Sequence, residues 1–263
     1  MFKREIKTNF KSFLIWLIVT LSLLVIVYLV YPIVLAGPEA KQLNDMMKVF
    51  PADILKLFNM DISSIDSVYG WLKSEGYVFL VMIISSYSAL LGANILVKEE
   101  NDKTIEYLGV TPIKRNDIVI KKSLVGILYV IAFNLVLLLF NLVCLLLSGD
   151  LDITEFILVS ISPLFPCIIL FFMCMFISTF SHKSKQMLGI TLGIVFFSNA
   201  ITALAKLSVK VDFLKYFSVY TLADIRNVIL HKTMDPYYLA ITIALSIAFL
   251  SLTMLRYNKK ELL

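Results

Sequence analysis

Residues Lys98–Lys122 read KEENDKTIEYLGVTPIKRNDIVIKK, with eleven charged side chains in 25 positions. The stretches on either side, Tyr77–Val97 and Ser123–Ser148, carry no Lys, Arg, Asp or Glu. Placing a charged side chain at the centre of a bilayer costs about 2.5–3.5 kcal/mol. The segment is therefore expected in water, between two helices that cross a membrane.

The rest of the 263-residue chain follows the same partition. It is 59% hydrophobic and only 16% charged, with a mean hydropathy of +0.88, whereas soluble domains carry about 25% charged residues. Uncharged runs of about 20 residues, the length needed to span hydrocarbon, occur at Ser12–Leu35, Tyr77–Val97, Ser123–Ser148, Phe156–Ser181, Gln186–Ala205 and Tyr237–Leu255. All 43 Lys, Arg, Asp and Glu residues fall outside these windows. The sequence predicts an all-α integral membrane protein with six transmembrane helices in a single domain over 1–263. The first run is too long for a signal-peptide core and is expected to remain as a span.

Segments 1–11, 98–122, 182–185 and 256–263 hold 15 Lys or Arg in 48 residues, against 9 in 79 for segments 36–76, 149–155 and 206–236. The positive-inside rule places the first set, with both termini, in the cytoplasm. The start, MFKREIKTNFKSFLIW, spaces Phe2, Ile6, Phe10 and Phe13 about four apart with Lys3, Arg4, Lys7 and Lys11 between them. That pattern suits an interfacial helix over 1–11. Pro163 and Pro166 should interrupt the fourth span. The outer segments 36–76 and 206–236 mix apolar and polar residues and read as ordered caps or partly re-entrant pieces.

Several chemistries lack their residues. Cys144, Cys167 and Cys174 all lie in apolar runs without metal-ligand spacing, and the two histidines, His182 and His231, lie in polar segments. No span carries the carboxylate on which ion-coupled carriers rely. No nucleophile has a base at membrane depth, so the chain is not expected to be an enzyme. There is no G-x-x-x-x-G-K-[ST] to hold ATP phosphates, no metal site and no sign of nucleic-acid binding. The expected partner for the spans is the lipid bilayer. Gly189 and Gly193 form a G-x-x-x-G step in the fifth span, which permits close helix approach within the chain or between chains. Asn134 and Asn141 share one face of the third span and either line a path or bond neighbouring helices.

Within 98–122, acids (Glu99, Glu100, Asp102, Glu106) precede bases (Lys114, Arg115, Lys121, Lys122), with Ile105, Leu108, Val110 and Ile113 between. Asp102 is placed to cap a short helix ending at Gly109, and Thr111-Pro112 to open the next one. A short helix with an apolar face ringed by charge suits docking onto a soluble partner, and an unadorned connector is the alternative.

The stretch resembles the segment between the second and third spans of ABC-2-type transporter permeases, whose pattern is roughly E-x-x-x-G-T-x-E-x-L-L-x-x-P-x-x-R. The matches are Glu100, Thr104, Glu106, Leu108, Pro112 and Arg115. Lys103 stands where that family has Gly, and Gly109 where a second Leu is common. The resemblance implies a cytoplasmic coupling helix that docks on a separate ATPase subunit through Glu100, Thr104, Ile105, Glu106, Leu108, Pro112 and Arg115. It implies two permease chains, identical or paralogous, with two ATPase chains. The chain itself would bind no cofactor, ATP and Mg being held by the ATPase, and the fifth spans, with Gly189 and Gly193, would meet at the dimer interface. It also implies a bacterial cytoplasmic membrane and an exporter, most similar to those of small amphipathic peptides such as phenol-soluble modulins. Drug, antibiotic, lipid or sodium efflux, or a non-transporting scaffold, are the other readings.

Overall fold

A computed structural model describes residues 2–35, 76–101, 114–148, 152–205, 209–225 and 233–260. Its helices are α1 (Phe2–Leu35), α2 (Tyr77–Asn101), α3 (Arg115–Ser148), α4 (Ile153–Ile161), α5 (Leu164–Ser178), α6 (Ser184–Ala205) and α7 (Pro236–Lys259), with 3-10 helices at Val209–Phe217 and Val219–Ala223 between α6 and α7. Counting α4 and α5 as one crossing, six helical stretches are long and apolar enough to span a membrane. The described residues form no strand. An all-helical architecture is what hydrocarbon demands, since each helix satisfies its own backbone groups.

The helices run past the uncharged windows. α1 begins at Phe2 and continues unbroken to Leu35, so residues 2–11 extend the first spanning helix rather than turning away from it. At 1.5 Å per residue its 34 residues reach about 51 Å, well beyond a hydrocarbon core of about 30 Å. α3 begins at Arg115, two turns before the first uncharged residue of its window. The fourth crossing breaks at Ser162 and Pro163, between α4 and α5. Pro163 has no N–H for the helical ladder, whereas Pro166 lies in the first turn of α5, where no intrahelical donor is needed. Asp152 starts α4 by accepting from Thr154 N and Glu155 N.

α2 and α5 form the centre. Of the most apolar stretch of α2, 78% of residues are buried, against 17% in α1 and 11% in α7. The centre is tight because Gly92 lies against the α5 backbone: a Cβ there would stand 2.2 Å from the Phe171 carbonyl oxygen. At Gly126 of α3, a Cβ would meet the Phe171 ring at 2.1 Å. An aromatic cluster binds α1, α2 and α3, with Tyr87 and Phe133 stacked at 4.7 Å and Phe13 5.2 Å from Tyr129 and 6.0 Å from Phe133. Lipid tails are as apolar as these side chains, so shape and close approach rather than water exclusion favour this packing.

Away from the charged helix ends, the segment 209–225 descends into the bundle. The Tyr220 and Ser85 hydroxyls pair at 2.5 Å, and Tyr77 donates to the Ala223 carbonyl at 3.0 Å. Ser85 lies about 12 Å along α2 from Tyr77, so the segment enters the bundle rather than resting on top of it. Ser218 joins it to α6 through Ser198 at 3.0 Å and Thr202 at 2.5 Å. Residues 36–75 and 226–232, and with them the remaining outer caps, lie outside the described residues.

Gly92→Ala should destabilise the folded chain by several kcal/mol, because the atoms it meets are backbone. Gly126→Ala should cost less, since a ring can shift. Thermal unfolding of the two variants in one detergent orders them; equal stability would contradict the α2–α5 crossing.

Candidate functional site

The charged ends of the helices meet at one end of the bundle. Glu5 (α1), Glu99 and Glu100 (α2), Lys122 (α3) and Lys260 (after α7) are all buried there. Two ion-pair clusters divide them, and neighbouring residues of one helix turn connect the clusters.

Glu99 anchors the first. Its carboxylate accepts from Arg4 at 3.0 Å and pairs with the Lys122 ammonium, which also lies 3.7 Å from Glu5 and donates to the Ile95 carbonyl at 2.6 Å. Lys122 is 1% exposed. A lone buried ammonium is prohibitive, but two carboxylates and a carbonyl here replace its water shell. The Tyr129 hydroxyl, two turns further along α3 than Lys122, donates to the Ile6 carbonyl at 2.5 Å and ties α3 to α1.

Glu100 anchors the second. One carboxylate oxygen lies 2.8 Å from Lys260 Nζ and the other 2.7 Å from His182 Nδ1. Lys260 Nζ also donates to the Ser181 carbonyl at 2.7 Å, and Arg256 sits 4.9 Å from the centre of the Phe180 ring. The Tyr257 hydroxyl is buried beside these groups with no hydrogen-bond partner among the described residues. Arg115, the first residue of α3, donates to the carbonyls of Tyr257 at 3.2 Å, Asn258 at 3.0 Å and Lys260 at 2.8 Å. A guanidinium at those carbonyls matches the negative end of α7.

Of the residues singled out from sequence, Glu100 and Arg115 are thus brought to one place, on opposite flanks of segment 102–113. Thr104, Ile105, Glu106, Leu108 and Pro112, with the caps at Asp102, Gly109 and Thr111, lie outside the described residues. Gly189 and Gly193 are exposed on α6, and a Cβ at either would meet no heavy atom of the described residues within 4 Å. Phe196 and Phe197 are exposed on the same helix. Asn141 accepts from Tyr28 of α1 at 3.0 Å, while Asn134 donates to the Val130 carbonyl of its own helix at 3.5 Å. Both line a cavity of about 40 Å³ with Tyr77, Leu80, Ser160 and Pro163. That volume accommodates a few waters and no larger guest.

Sequence reading missed Glu5, Glu99, Lys122, His182 and Lys260 as members of one layer. A signal existed for Glu5, the single acid among the four basic residues of 1–11. Another existed for Glu99 and Lys122, which stand just outside facing edges of two consecutive spans.

Six helical stretches long and apolar enough to cross a membrane, with a buried charged layer joining the start of α1 to the end of α7, define a multi-pass membrane protein. Over residues 1–262 the chain matches the model of the ABC-2 family transporter proteins. It belongs to that family and is thereby a permease component of an ABC transporter, a class that works with an ABC ATPase. No curated protein and no solved structure matches the chain.

Lys122→Met should destabilise the protein by about 3 kcal/mol, because it removes the one buried cation between two buried carboxylates and leaves them only the half-exposed Arg4. Thermal unfolding of the detergent-solubilised variant measures this. Lys121→Met, at an exposed neighbouring position, should change stability by less than about 0.5 kcal/mol.

Proposed function

We propose that this chain is the membrane subunit of an ATP-driven exporter in a bacterial cytoplasmic membrane, and that the short helix expected from Asp102 to Gly109, within the coupling segment 98–122, is received by a separate ATPase. The observation that carries the reading is the fixing of both flanks of segment 102–113. Glu100 before it and Arg115 after it are each held by the end of α7. Glu99 and Lys122, further into the same two stems, are held by α1. A displacement of the segment therefore enters a layer that touches α1, α2, α3 and α7 together.

ATP and Mg belong to the ATPase, of which two copies serve two permease chains. The chain does no bond chemistry. Leu108 is the apolar anchor of the docking surface with Glu106 beside it, Thr104, Ile105 and Pro112 shape the turn, and Glu100 and Arg115, held by the end of α7, pass its movement on. Gly189 and Gly193 lie on an open face of α6, which supports contact with the second permease chain. The cargo is an amphipathic or lipophilic molecule, best a small amphipathic peptide. This assignment rests on the resemblance to peptide-exporting permeases. Asn134 and Asn141 border the small cavity at the α4–α5 break, and a path there requires the helices to separate.

The test is a mild-detergent pull-down of the tagged chain from its native membranes. The native chain should recover an ATPase, and Leu108→Asp, still inserted and folded, should recover at least tenfold less. Absence of an ATPase with either form after crosslinking would favour the scaffold reading. In the same membranes, Gly189→Leu with Gly193→Leu should reduce crosslinked permease dimers severalfold while leaving the monomer's thermal unfolding unchanged. Equal dimer yield would place the interface elsewhere.

A further inference from the structure

Two stems flank segment 102–113, and a single element holds both. The carbonyls at the end of α7 run short of helical donors, Tyr257 O keeping only the Lys260 N–H at 3.4 Å; Arg115 Nη1, at the entry of α3, lies within hydrogen-bond reach of the carbonyls of Tyr257, Asn258 and Lys260 and shares its two N–H groups among them. Asn258 Nδ2 donates to Asn116 Oδ1 at 2.7 Å, adding a contact on the same side. Lys260, immediately after α7, turns its side chain the other way, to Glu100 at the exit of α2 and to the Ser181 carbonyl beyond α5. Residue 260 therefore gives its carbonyl to one stem and its ammonium to the other. Its side chain and that of Glu100 are only 5% and 2% exposed, so this is a buried pair whose partners cannot exchange freely with water.

We propose that the C-terminal turn of α7, with Lys260 as its central residue, is a clasp that sets the spacing of the two stems and so positions the coupling segment. Lys260 is a positioning residue: it acts through Glu100 and through the carbonyl bound by Arg115, without touching ATPase or cargo. The last span, peripheral in the bundle and only 11% buried in its apolar stretch, thereby receives the movement delivered to the segment between the second and third. This role in coupling rests on the permease reading above, whereas the clasp itself does not.

Two measurements keep these separable. The first uses the detergent-solubilised chain alone. Amide hydrogen exchange in residues 98–101, 115–118 and 255–260 should be at least tenfold faster in Lys260→Met than in native protein, and unchanged in Lys259→Met, whose side chain is exposed. Equal exchange in Lys260→Met and native protein would overturn the clasp. The second uses the permease–ATPase complex in proteoliposomes. Lys260→Met should retain the bound ATPase but lose at least fivefold of the permease-dependent change in ATP hydrolysis. Lys260→Arg, which keeps the cation between Glu100 and the Ser181 carbonyl, should restore most of it. Native hydrolysis in Lys260→Met, or Lys260→Arg no better than Lys260→Met, would overturn the positioning role. Failure of native chain to recruit any ATPase would instead overturn the permease reading, with the exchange measurement still deciding the clasp.

Discussion

Charge that cannot reach bulk water must find its partner within the protein, and in this chain that constraint organises one whole end of the bundle. Glu99 and Glu100 are adjacent in sequence, so on a helix they point about 100° apart. Glu99 takes Arg4 and Lys122, and Glu100 takes Lys260 and His182. The last turn of α2 consequently grips the N-terminal helix on one side and the C-terminal turn on the other. Since α2 also packs most closely on α5 at Gly92, the same helix joins the charged layer to the centre of the apolar bundle.

The membrane makes such a layer more informative than apolar contact would be. Between lipid-facing helices the hydrophobic effect offers little preference for one register over another, because tails solvate side chains as well as neighbours do. Close approach at Gly92 and Gly126 sets how α2, α3 and α5 lie against one another near Phe171. The peripheral helices α1 and α7 have less of this packing, and for them the ion pairs fix register. At the other end, hydroxyl groups do similar work: Ser85, Ser198 and Thr202 hold Tyr220 and Ser218 of the 3-10 segments within the bundle.

The six crossings were legible because charge and hydropathy alternate cleanly along the chain, and the break at Pro163 was legible because proline removes a specific hydrogen bond. What stayed hidden followed from treating every charged residue as a mark of water. Lys122 ends the charged stretch and reads as a loop cation, yet it is among the most buried side chains of α3. His182 and Lys260 read only as cytoplasmic polarity, because their common partner, Glu100, is remote in sequence. Glycine spacing was informative only in part. The G-x-x-x-G step at Gly189 and Gly193 lies on an open face, while the solitary Gly92 and Gly126 make the close crossings. Spacing within one helix cannot disclose that Phe171 of another approaches both.

A rigid joint is also what the proposed coupling role would require at this position. Were the stems of segment 102–113 held only by apolar contact, a push on the segment would be relieved by sliding the helix ends through lipid at little cost. Separating Lys122 from Glu5 and Glu99, or Lys260 from Glu100, would instead strand buried charge, at roughly 3–5 kcal/mol for each broken pair. On the proposed reading, in which a partner ATPase pushes on this segment, tilting whole helices without breaking the pairs costs less than breaking them. The layer would then carry α1, α2, α3 and α7 as one unit.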